Sequence, residues 1–264
     1  MRRCHTCQMD SQTAVSPPIE DDSGYRLRVK DIDFLGIDDI SIRRTISREC
    51  PLGMDLPTYA EFSRTLLHAL SREGADDADV RLQGSSVRFF SGAHKLMPYD
   101  RSELAEAYLT ARKRPPQNSE LDVVTSTIQR QWPEDAESEP PRPLRRLFDV
   151  MYRLGVDPQQ SDYDVQISSD QLLRITENEL KVIGVEPDEI RFRNPEYDFV
   201  RKELVDNFLL YLSAWVERAT ELVQRPVTLA IFDSKGPPEI EGSALSSHYQ
   251  EDDWVIKRYK SGES

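Results

Sequence analysis

The sequence predicts an α/β (α+β) fold, a mixed sheet flanked by helices with a helical insertion between its first two core strands. Three observations lead there. Short apolar alternations recur around residues 80–83, 162–168 and 225–234, the period-2 pattern of half-buried strands. Longer segments around them place apolar residues three or four apart, as amphipathic helices require. Residues 87–161, between the first two strand candidates, are far too many for a turn and carry helical patterning of their own.

Composition sets the outer limits. A chain of 264 residues can bury a substantial core, and 38% hydrophobic with 31% charged residues reads as polar but folded. No apolar run reaches the length of a membrane span; the longest, FLLYLSAWV (208–216), belongs to an amphipathic pattern, so no membrane is expected as a partner. The opening MRRCHTCQMD carries charge with no apolar run behind it, which predicts no secretory leader and a cytoplasmic location. A net charge of −13 argues against gripping nucleic acid over the whole surface, but leaves room for a local basic groove. The three cysteines are too few for a disulfide framework. Cys4 and Cys7 form a C-x-x-C around His5, which a zinc site would have to complete with Cys50 or distant histidines; two thiols in a tail is the simpler reading.

Taken in order, residues 1–24 are polar and read as a flexible segment, and 25–37 as a strand or extended arm. A helix follows Pro57, opened by a Thr58/Glu61 capping box, with Tyr59, Phe62, Leu66, Leu67 and Leu70 on one face and Gly74 as its stop. VRLQGSSVRFFSG (80–92) is a strand, a small-residue turn and a helix start. Two helical stretches and an acidic, proline-rich loop (133–143) come next, then LRRLFDVMYRLG (144–155) as a helix ending on Gly155. DYDVQIS is the second strand, and Ser168 with Gln171 forms a second capping box. The longest helix is expected at 196–225, the third strand at 225–234. The division is a flexible segment (1–24), one domain (25–235, insertion about 99–155) and a loosely held tail (236–264).

Asp is a poor strand former, so Asp162 and Asp164 at the head of a strand cost stability unless something uses the charge. At i and i+2 they share a face, with Tyr163 turned into packing. Side by side they repel and raise each other's pKa unless a cation lies between them. Mg²⁺ or Mn²⁺, held by one or two carboxylates plus substrate phosphates, is the expected cation. The Gly84-Ser85-Ser86 turn offers close backbone approach, amides and hydroxyls to a phosphate. Arg88 and Lys95 lie just downstream. Asp233 ends the third strand on the parity of Val227, Leu229 and Ile231, an odd place for a charge, although an Asp-Ser turn before Lys-Gly-Pro suits it nearly as well.

LQGSS, then SDYDVQI, then VTLAIFDS resembles the nucleotidyltransferase superfamily with the DNA polymerase β-like fold, over roughly residues 58–235. The resemblance implies a nucleotidyltransferase-like sheet and Mg²⁺-dependent transfer of a nucleoside monophosphate from a nucleoside triphosphate. Asp162 and Asp164 would be metal ligands and catalytic. Asp233 would be the third acid, binding metal or activating the attacking hydroxyl, and Gly84, Ser85 and Ser86 would hold the triphosphate. The acceptor stays open among RNA, protein, nucleotide and small molecule. Several members of the superfamily are bacterial toxins, so an antitoxin-like protein partner is also implied. The spacing departs from the family, which needs little more than one short helix between the Gly-Ser turn and the D-x-D. Long loop insertions are thermodynamically tolerable and often carry specificity. Two rivals remain: a catalytically inactive nucleotide-binding module that kept the fold, and a protein-interaction module in which the D-x-D is incidental. The basic clusters ARKR (111–114) and RPLRR (142–146) would mark an RNA groove if they faced the D-x-D.

Overall fold

The three alternating segments form strands β1 (Asp79–Gln83), β2 (Tyr163–Ser168) and β3 (Val227–Phe232), and a short β4 (Trp254–Val255) joins them. The computed structural model describes residues 19–92, 94–134, 142–186, 192–195, 197–237 and 253–257. Strand order is β3-β2-β1-β4; β1 runs antiparallel to β2 and β4, and β2 runs parallel to β3. Among the described residues, the helices are α1 (Val29–Leu35), α2 (Asp39–Ile46), α3 (Leu56–Glu73), α4 (Ser85–Arg88), α5 (Arg101–Arg112), α6 (Asn118–Gln131), α7 (Val150–Arg153), α8 (Asp170–Val182), α9 (Lys202–Phe208) and α10 (Leu210–Val223). Parallel neighbours need a crossover, and α8, α9 and α10 supply it between β2 and β3. The protein is therefore a mixed α/β structure with a four-stranded mixed sheet flanked by helices. Among the described residues, no helix is long and apolar enough to cross a membrane.

Strand alternation divides the sheet into an apolar and a polar face. Val80, Leu82, Tyr163, Val165, Ile167, Val227 and Ile231 are buried with Phe62 and Leu66 of α3, Leu172 of α8, and Leu212 and Trp215 of α10. Each large side chain removed from water contributes about 1.5–3 kcal/mol, so this face anchors the sheet. A second core gathers Phe89, Phe90, Leu104, Leu121, Ile128 and Phe148 of the insertion with Tyr25, Leu35 and Leu52 from before β1. The insertion is thus built jointly with the chain's N-terminal part.

That joint core overturns the strand or arm expected at 25–37. Asp31, fully buried, accepts hydrogen bonds from the Arg28 amide (2.9 Å), the Tyr25 hydroxyl (2.7 Å) and the Trp132 indole (2.9 Å), which starts α1 and ties it to α6. The flexible segment 1–24 needs correction at its end. The Asp21 carboxylate accepts from the amides of Tyr25 (3.1 Å) and Leu144 (2.8 Å), while residues 1–18 lie outside the described residues.

Helix boundaries moved where another acid or strand took precedence. Asp55, not Thr58, caps α3 by accepting from the Thr58 amide at 2.8 Å, and Glu61 pairs with Arg64 instead. Ser169 caps α8 through the Leu172 amide (3.1 Å), because Ser168 belongs to β2 opposite Phe232. The long helix expected at 196–225 breaks at Leu209, which leaves α3 longer, at 18 residues. Only 150–153 of the expected 144–155 helix is helical, since Leu147 bridges to Phe90 and Arg145 to Leu96. Residues 253–257 are not a loose tail: Trp254 is buried on β1, its indole donating to the Tyr59 hydroxyl at 2.6 Å.

Candidate functional site

The polar face of the sheet forms the floor of a cleft of about 460 Å³. Register sets the floor residue by residue: Gln83 of β1 lies opposite Asp164 of β2, which lies opposite Thr228 of β3. Asp162 precedes β2 and shares that face; Gln166 follows two residues on. Tyr163 points the other way, fully buried, its hydroxyl donating to the Leu52 carbonyl at 2.8 Å. The D-x-D therefore divides as its period requires, with two carboxylates in the cleft and one phenol in the core.

Ser161, the residue before Asp162, is bound to a buried ion pair that the sequence did not suggest. Asp149 and Arg225, 3% and 9% exposed, make a two-pronged contact at 2.7 and 2.8 Å. Asp149 also accepts from the Ser161 amide (2.8 Å), and its own amide donates to the Ser161 hydroxyl (2.9 Å). This ties the end of the insertion to the residue before Asp162. Gly53 is required beside it, since a Cβ there would lie 2.8 Å from the Arg225 guanidinium and 2.7 Å from the Tyr163 hydroxyl.

Burial raises the pKa of Asp164, and the neighbouring Asp162 charge raises it further; the Thr228 hydroxyl, donating to Asp164 at 2.9 Å, and the Lys95 charge oppose the rise. The anionic pair sits in a place that favours a compensating cation. A hard divalent ion that keeps several waters and completes its shell with phosphates fits two carboxylates. Among the described residues, no group of three or more His, Cys, Asp or Glu is arranged to hold a metal by itself. Cys50 offers no help to a zinc site: it is buried, donates to the Met54 carbonyl (3.1 Å) and has a thiol pushed up to about 11 by burial. Cys4, His5 and Cys7 lie outside the described residues.

Next to the carboxylates, at the end of the neighbouring strand, Gly84 and Ser85 line the same cleft. Gly84 has φ +83°, where a side chain is strained, while its missing Cβ would meet nothing within 4 Å; backbone conformation, not crowding, calls for glycine. Ser86 is a correction. It is fully buried, outside the cleft, and its carbonyl accepts from the Leu52 amide at 2.8 Å, because α4 turns it under the loop. At one turn, Ser85–Arg88, α4 is also too short to add a helix-end field.

Asp233 is the second correction. It lies past the end of β3, one residue beyond the Phe232–Ser168 pair, whereas Asp164 is near the start of β2. Five residues of strand separate the two positions, roughly 16 Å. Its carboxylate accepts from the Lys235 amide (2.9 Å) and faces Arg193 (3.4 Å), the turn role its Asp-Ser-Lys-Gly context also allowed. The strand neighbour of Asp164 is Thr228 instead.

The cations divide too. Lys95 and Arg146 line the cleft, and Arg146 is the member of RPLRR that reaches it. Its guanidinium donates to the Leu96 carbonyl at 3.0 Å; burial lowers its pKa and Asp157 works against that. Arg88 lines the cleft as well but pairs with buried Asp253. Elsewhere in the basic clusters, Arg112 donates to the carbonyls of Gly155 (2.8 Å) and Val156 (3.1 Å), Arg114 pairs with Glu120 (2.7 Å), and Arg145 pairs with Asp22. Arg142 lies 4.0 Å over the Tyr99 ring. Apart from Arg146, these clusters do not line the cleft that holds the D-x-D.

Gln166 and Thr228 were readable from period-2 alternation alone. Arg146 lay within the RPLRR cluster, but Asp157 and the Asp149–Arg225 pair behind Ser161 were not readable, because tertiary contacts with no local pattern bring them there. No protein-family model, no curated protein and no solved structure matches the chain.

Proposed function

We propose that the cleft binds a nucleoside triphosphate with Mg²⁺ or Mn²⁺ and transfers its nucleoside monophosphate to an acceptor, as a nucleotidyltransferase would. One observation supports this above the others: Asp162 and Asp164 line one cleft with the Gly84-Ser85 turn, which follows Gln83, the residue in register with Asp164 on the neighbouring strand. Clefts of 300–1,000 Å³ suit small ligands of this size. Asp162 and Asp164 would hold the divalent ion, whose chemistry there is to neutralise and orient phosphate oxygens. Ser85 is placed to donate a hydroxyl hydrogen bond to a phosphate, and Lys95 and Arg146 add positive charge to the lining. Arg225 and Asp149 keep Ser161 fixed and thereby set where Asp162 points. Asp233 has no part in this scheme.

The acceptor reading narrows without closing. With Arg112, Arg114, Arg142 and Arg145 engaged in internal contacts, a small molecule, a nucleotide or a protein side chain fits better than a long RNA, which needs many cations along its backbone. A second reading has its own support. Thr228, not an acid, is the strand neighbour of Asp164, which favours a nucleotide-binding module without transferase activity. One experiment separates them: the purified protein is incubated with each α-labelled NTP, Mg²⁺ and a cell extract, and pyrophosphate is assayed in parallel. Label carried to an acceptor with pyrophosphate release supports the transferase. Mg²⁺-dependent NTP binding with neither product supports the inactive module, and no binding of any NTP removes both.

A further inference from the structure

A directed chain of hydrogen bonds crosses the polar face of the sheet. Asp253, 1% exposed, lies between Arg88 and Arg81 (3.6 Å), so its carboxylate can only accept. Gln83 donates its amide nitrogen to Asp253 at 2.9 Å. Gln83 must therefore turn its oxygen toward Gln166, whose amide nitrogen donates to it at 2.7 Å. The orientation of a glutamine amide is ordinarily ambiguous, but here the buried carboxylate fixes both in sequence. The Gln166 oxygen is left with no hydrogen-bond partner, on a side chain 5% exposed that lines the cleft two residues beyond Asp164. Of its two strand neighbours, Ala230 brings only a methyl group to that row, and Arg81 pairs with Asp79 (2.9 Å) and Asp253 (3.6 Å).

A buried acceptor without a donor is destabilising, and natural structures leave few of them unexplained. Phosphate oxygens are acceptors themselves and cannot satisfy it. We infer that Gln166 is a specificity-determining residue whose oxygen accepts a hydrogen bond from a neutral O–H or N–H of the nucleoside part of the bound nucleotide, a sugar hydroxyl or a base amine. The assignment rests on the nucleotide reading of the cleft and deepens it. It divides the floor into two zones: Asp162 and Asp164 serve the phosphates, and Gln166 the uncharged half of the ligand.

The test is a binding matrix in Mg²⁺. The tightest-binding of the four NTPs is titrated against the wild type together with its 2′-deoxy form, its 3′-deoxy form and the form lacking the base's exocyclic donor. The wild type should lose about five- to tenfold affinity for one of these analogues, the worth of one neutral hydrogen bond. Gln166→Met, close in volume, should bind the parent NTP more weakly by that same factor and show no further loss with that analogue. Which analogue responds tells the sugar source from the base source. If the NTP binds but Gln166→Met discriminates among all analogues as the wild type does, the assignment is overturned and the oxygen is served by a buried water. If no NTP binds the wild type, the nucleotide reading itself fails, and this assignment with it.

Discussion

The two ends of the parallel pair β2–β3 both carry aspartates, and they do opposite things. At the far end Asp233 faces Arg193, and Asp170 accepts from the Ser234 amide (2.9 Å) and hydroxyl (2.8 Å). Those hydrogen bonds hold the Asp170 carboxyl below its ordinary range. At the near end Asp164 stands beside Asp162, is raised by burial, and has the Thr228 hydroxyl as its hydrogen-bond donor. An acid whose acceptor capacity is met by turn amides and a guanidinium is a structural cap. A pair placed together on a cleft floor, with a neutral hydroxyl for company, has been left room for a ligand. Partner accounting separates the two ends, where counting strand-end acids did not.

The sharpest way to break this comparison is activity. Asp162→Asn and Asp164→Asn should each reduce Mg²⁺-dependent nucleotide transfer, or binding if the module is inactive, by about 100-fold or more, since each removes charge from the cation's site. Asp233→Asn should leave either within about twofold. A collapse with Asp233→Asn, measured on protein with unchanged circular dichroism, would mean that the far end belongs to the site after all.

Stability gives the next contrast. Asp149→Asn leaves Arg225 buried with its charge uncompensated, and breaking a buried pair costs about 3–5 kcal/mol. For a chain of this size that corresponds to a fall in Tm of roughly 10 °C. Arg193→Ala at the far end breaks a longer, partly exposed contact of 3.4 Å and should cost less than about 1 kcal/mol. Equal losses for the two variants would mean that Ser161 and Asp162 are held by something other than the Asp149–Arg225 pair.

How far the sequence could take this follows the same division. Period-2 alternation placed β1, β2 and β3 and put Asp162 and Asp164 on one face, because strand geometry is local. It could not place Asp233, because position along a strand is relative to the partner, and the parallel register that puts Thr228 beside Asp164 is set by a long helical crossover. Ser86 failed for a related reason. A small-residue turn looks equally open at all three positions until the backbone of Gly84 turns one of them inward. Trp254 and Asp253 were assigned to a tail because two residues of β4 are too few to show a pattern. Their fit is to Tyr59 and Arg88, residues far away in the chain.

The smallest expected effect is the most direct comparison of the two ends, because it gives their acids opposite signs. Asp164 has a folded pKa above its ordinary 3.8, so its contribution to stability is full below that value and is lost as pH rises through the folded pKa. Asp170 has a folded pKa below 3.8, so its contribution is present above that value and is lost as pH falls through the folded pKa. Side-chain carboxyl chemical shifts followed by NMR in metal-free buffer should therefore show Asp170 titrating at lower pH than free aspartate and Asp164 at higher pH. Asp164→Asn should be at least as stable as the wild type at pH 7, because it removes a charge that burial and Asp162 both disfavour, whereas Asp170→Asn should lose stability there. A lowered Asp164 in metal-free protein would show the cleft already supplying the positive charge that the proposal assigns to a bound ion, and the contrast between the two ends would disappear.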